Sequence, residues 1–234
     1  MEEFEQAALL LSLIDQISSK MRDIILLNYY DKLDSENKHC LAMMAEAYST
    51  ATVFCYAIKT VSLTQAGLLL RQFLEQTAIA YILVKYPETL SKYVEHYKMR
   101  NQMVGTKKCE QYKMIKEKYG VPNDTALSYL DYGWIGFDSP YKCNEEEMLK
   151  FAEFSDIIVW KKMYLDKMAH ASFTSSDFLG ETKDFPVIKN FTEIACKLFD
   201  YLCVAFHNLT NFNFIFDNRN LFAEFRNLYS NYKL

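Results

Sequence analysis

Only six glycines and four prolines punctuate the 234 residues of this chain. An all-β fold reverses direction every ~10 residues and draws on Gly and Pro at its turns. Their scarcity predicts long helices joined by few loops. Half of the residues are hydrophobic, with 17 Phe and 17 Tyr among them, far too much apolar surface for a disordered chain. A chain of this length buries roughly 70% of its unfolded surface. The expected fold class is therefore all-α, a helical bundle of about six to seven helices with one long irregular loop near 120–143. The expected organisation is a single domain over 1–234, with an N-terminal helix at 1–33, a core bundle at 34–210 and a C-terminal extension at 211–234.

Apolar spacing locates the helices. Leu9, Leu10, Leu13, Ile14 and Ile17 form the buried stripe of a first helix from about Glu2 to Leu33, with Ser18-Ser19 as a place to bend. Asp34-Ser35 suits the cap of a second helix ending near Thr60, and Ser62 or Thr64 the cap of a third through Val84. Pro87 fits the first turn of a fourth helix, which Gly120 and Pro122 stop. Asn144 followed by Glu147 reads as a capping box opening a fifth helix through about Met168. A sixth is expected over about Ile188 to Asn208 and a short last one after Asn220.

Composition also excludes function classes. A net charge of −4 gives no overall basic field for sequence-independent nucleic-acid binding. One local exception spans 98–118, where seven Lys or Arg face Glu110 and Glu117. That segment reads as a solvated helix face, with phosphate-backbone binding as the functional alternative. Six Cys without a C-x-x-C spacing pack as small hydrophobes, which fits a reducing, cytoplasmic setting. Charge interrupts the apolar runs, notably at Arg71 and Glu75, so no membrane span is expected. The acidic start Met1-Glu2-Glu3 is unlike a signal peptide.

Few residues carry chemistry. Arg71 and Glu75 are four apart on one face of the third helix, flanked by Gly67, Leu68, Ala78 and Ile82. The pair is either a structural ion pair or a clamp for a small anion with a carboxylate beside it. His170 follows Asp166 by four residues, an arrangement in which a carboxylate orients an imidazole for general acid/base work. Its plainer alternative is a helix-end histidine favoured by the dipole. Glu36-x-x-His39 matches half of a di-iron pattern, but Tyr93, Lys167 and Val204 stand where the second half needs a carboxylate. Neither phosphate loop is present. No metal and no cofactor is expected.

Arg71-x-x-x-Glu75 in an apolar helix, Trp134 in a Gly-flanked loop, and Tyr164 and His170 late in a further helix resemble an uncharacterised bacterial helical family, domain of unknown function 5677. The resemblance covers about residues 40–210. It implies that Arg71, Glu75, Trp134, Tyr164 and His170 converge. A looser similarity is to the HEPN helical bundles, whose ribonuclease motif places a His four to six residues after an Arg; no Arg here has that spacing. The leading expectation is an intracellular helical protein whose interior polar cluster, with Asp166 in it, binds a small anion or a protein partner in stress response or phage defence. One alternative is a hydrolase or nuclease using His170 as general acid/base and Arg71 as anion clamp. Another is a structural homo-oligomer subunit, suggested by Phe206, Phe212, Phe214 and Phe216.

Overall fold

The computed structural model of the protein describes residues 2–29, 37–60, 63–102, 117, 132–135, 144–166, 185–210 and 219–232. Eight α-helices and no strand occur among the described residues, so the all-α class stands. They are α1 (Glu2–Ile24), α2 (Asn37–Thr60), α3 (Leu63–Lys85), α4 (Leu90–Gln102), α5 (Glu145–Phe151), α6 (Ser155–Trp160), α7 (Phe185–Thr210) and α8 (Arg219–Tyr232). Two π-helical turns extend helices, at Ile25–Tyr29 and Lys161–Leu165.

The chain divides into two compact units, which the single-domain reading of the sequence does not distinguish: residues 1–81 with 156–234, and residues 82–155. In the first, α1 buries Leu10, Ile14, Ile17 and Met21, the π turn after it buries Ile25, and α1 packs against α2, α7 and α8. The spacing of these residues is the reason: three or four apart, they form one stripe, and each buried aliphatic side chain contributes about 1.5–3 kcal/mol. Ser18, marked by sequence as a bend, lies buried inside the regular helix. The irregularity comes instead at the π turn starting at Ile25.

Aromatic rings join α2, α7 and α8. Tyr48 meets Phe199 edge-on with centroids 6.4 Å apart, Phe199 meets Phe225 at 5.0 Å, and Phe225 stacks on Tyr229 at 5.7 Å. Phe206 is buried in this unit, while Phe212, Phe214 and Phe216 lie outside the described residues. Cys40, Cys55 and Cys196 are buried, packing as the small hydrophobes the sequence suggested. By length and composition α2 is apolar enough to cross a membrane, with a mean hydropathy of 1.2, where the sequence reading expected no span. Its buried face carries Leu41, Met44, Tyr48, Phe54 and Cys55, and the helix packs on α1 and α7.

In the second unit Pro87 opens a 3-10 turn, Pro87–Thr89, that leads into α4. Its missing N–H costs nothing there because the first turn leaves that donor unbonded. Trp134, in the 3-10 turn Gly133–Ile135, sets its ring edge-on to Tyr93 at 5.0 Å. The expected capping box forms in part: the Asn144 side chain accepts from the Glu147 backbone N–H at 2.9 Å. The helix it opens is shorter than expected, ending at Phe151 rather than near Met168. Phe154 donates its N–H to the Leu149 carbonyl at 2.8 Å and Glu153 to that of Lys150 at 3.0 Å. This is a Schellman stop. Its left-handed position, φ 64°, is held by Glu153 rather than by glycine. That is why apolar periodicity alone read through it.

Candidate functional site

The polar cluster of the first unit is built where α6 runs into the π turn Lys161–Leu165. The row Ile157, Ile158, Lys161 and Leu165 is buried, so a lysine occupies a core position. A lone ammonium there needs a partner, because an unpaired buried ion costs several kcal/mol. The partner is Asp166, whose Oδ1 and Oδ2 accept from Lys161 Nζ at 2.7 and 2.9 Å. The Lys161 side chain is 8% exposed and that of Asp166 27%.

The backbone explains this pairing. On an α-helix residues five apart point roughly 140° away from each other. In the π turn the Asp166 N–H bonds back to the Lys161 carbonyl, an i to i+5 closure that brings the two side chains onto one side. The sequence instead paired Asp166 with His170 on the assumption of α geometry. Asp166 is engaged by Lys161, and His170 lies outside the described residues.

Arg71 completes the cluster from α3. Its Nε lies 3.9 Å from Asp166 Oδ1, and its side chain is 31% exposed. The cluster thus joins two cations to one carboxylate, with Lys161 at hydrogen-bond distance and Arg71 at ion-pair range. Glu75, one turn further along the same face of α3, is half-buried like Arg71. Of the expected apolar flank, Gly67, Ala78 and Ile82 are buried but Leu68 is exposed. The two charges therefore sit at the margin of the core rather than inside it.

Trp134 belongs to the second unit, where it is 1% exposed and packed on Tyr93. Tyr164 contributes backbone to the π turn. Of the basic segment 98–118, residues 98–102 end α4, Glu117 is helical, and the remainder lies outside the described residues. Lys161 is the residue the sequence reading missed. Its signal was a lysine on an apolar row, recognisable without knowing the backbone; its partner was not recognisable, because only a π turn aligns residues five apart.

Cys55, Cys196 and Cys203 are disfavoured as nucleophiles. Burial pushes the Cys55 and Cys196 thiols up, and it pushes Cys203 up to about 12 despite the lowering effect of the Tyr48 hydroxyl 3.8 Å away. All three thiols stay protonated near neutral pH. Among the described residues no three His, Cys, Asp or Glu side chains cluster to hold a metal ion. No protein-family model, curated protein or solved structure matches the chain.

Proposed function

We propose that the chain is a ligand-binding helical protein whose Arg71–Lys161–Asp166 cluster takes a small anion. One observation carries the reading. Lys161 holds Asp166 at 2.7 and 2.9 Å, and Arg71 lies 3.9 Å from the same carboxylate with its side chain 31% exposed. Two cations thus stand together at the margin of the core, and the planar guanidinium suits carboxylate or phosphate oxygens. Glu75, beside it on the helix, tunes its charge. An intracellular role in stress or phage defence belongs to the same proposal. The hydrolase reading depends on His170, which lies outside the described residues.

Calorimetric titration with inorganic phosphate and with succinate, at low salt and against chloride, tests the proposal. Arg71→Gln abolishes the heat and Glu75→Gln strengthens binding by removing a negative charge. Equal affinity in wild type and Arg71→Gln would overturn the reading.

A further inference from the structure

Asp166 is itself an anion standing in the anion site. Both of its oxygens accept from Lys161 Nζ, at 2.7 and 2.9 Å, and Oδ1 also lies 3.9 Å from Arg71 Nε. Lys161 and Arg71 thus share one carboxylate of the chain. Their access to solvent differs: the Lys161 side chain is nearly buried, while those of Asp166 and Arg71 are partly exposed. A nearly dry ammonium has to keep a counter-charge at contact distance, so Lys161 gives up Asp166 only to another anion. A ligand that joined the cluster without displacing Asp166 would meet two carboxylates, since Glu75 stands one turn from Arg71 on α3. These already balance the two cations, and the ligand's own charge would be in excess.

We propose that Asp166 is a displaceable plug of this site: the ligand replaces it on Lys161 and Arg71 while Asp166 turns out to solvent, and the ligand that achieves this is a tetrahedral dianion of the phosphate or sulfate type. The inference rests on the anion-binding reading above. Displacement sets the ligand class. Asp166 is tethered five residues from Lys161, so its effective concentration is far above that of a free ligand. A simple carboxylate brings the same charge and the same two oxygens, with nothing to offset the freedom it loses on binding. A phosphate or sulfate brings a second charge and further oxygens spread over a tetrahedron. Lys161 and Arg71 both lie within 3.9 Å of one Asp166 oxygen, close enough together for such a group to touch both, with the guanidinium donating from its planar fork. Asp166 has a way out, because it is partly exposed and closes the C-terminal end of the π turn Lys161–Leu165.

Calorimetric titration of the full chain with sodium sulfate, and with sodium acetate at equal ionic strength, tests it. Wild type binds sulfate and gives no heat with acetate. Asp166→Asn, which removes the charge of the plug, binds sulfate about tenfold more tightly or better. Acetate raises the melting temperature of that variant and not of wild type, because it fills the place Asp166 held. Glu224→Gln, the same change of charge at an exposed position of α8, leaves sulfate affinity as it was. A second readout needs no variant: saturating sulfate moves the carboxyl carbon resonance of Asp166 in the wild-type chain to that of a solvated aspartate. Sulfate binding in wild type with equal or lower affinity in Asp166→Asn, or an Asp166 resonance that saturating sulfate leaves in place, overturns displacement while the anion site stands. Absence of sulfate binding in both chains removes the site and this proposal together.

Discussion

Lys161 and Asp166, five residues apart, form a bidentate contact at 2.7 and 2.9 Å because the turn between them is π-helical. Asp166 then stands 3.9 Å from Arg71 of α3. The energetic consequences are unequal. Asp166→Asn leaves a nearly buried ammonium with a neutral partner and is expected to cost about 1–3 kcal/mol, discounted from the buried-pair range for the partial exposure of Asp166. Arg71→Gln, at a partly exposed position and a longer distance, is expected to cost under about 1 kcal/mol. Urea denaturation of the two variants gives the ordering; an equal cost would mean that Lys161 does not hold Asp166 in solution.

Glu153 at φ 64° occupies a left-handed position that glycine adopts without a Cβ penalty. Glu153→Gly should stabilise the second unit by about 0.5–1 kcal/mol. The ion pair it loses, with Lys85 at 2.6 Å, involves a Glu153 side chain 64% exposed and contributes little. Slower hydrogen exchange at Phe154, whose N–H closes the stop, is the local signature.

Trp134 is buried in its own unit against Tyr93. Trp134→Ala should therefore cost about 3–5 kcal/mol through the cavity it leaves, visible as a lowered unfolding midpoint. A stable Trp134→Ala variant that loses only phosphate or succinate binding would return Trp134 to the ligand site.

The thiols predict a pH dependence. Burial raises the Cys203 pKa from 9.0 to about 12 and pushes Cys55 and Cys196 up as well. The unfolded thiols lose protons near pH 9 while the folded ones keep them, so stability from this source is intact below about pH 9 and falls as pH rises from there through about 12. Chemical denaturation at stepped pH should show the decline begin near 9. Substituting Cys203 by Ala should make it shallower.

Much of the fold was legible in the chain because it depends on local and periodic signals. Few turn formers and regular apolar stripes dictate long helices, and Thr60, Pro87 and Asn144 mark boundaries where the structure has them. The stop at Glu153 was hidden, since a left-handed glutamate has no sequence signature of its own. The site was legible only by halves. The sequence marked Arg71 as a charge out of place, and α-helical spacing read Asp166 only as a partner for His170. Tertiary packing adds Lys161 to Asp166: the row of Ile157, Ile158 and Leu165 draws Lys161 inward with it, and a buried ammonium must find a carboxylate. The backbone closes as a π turn between them, and α3 brings Arg71 alongside from far away in the chain. Periodicity fixes which residues leave water; only the packed helices determine which charges meet there.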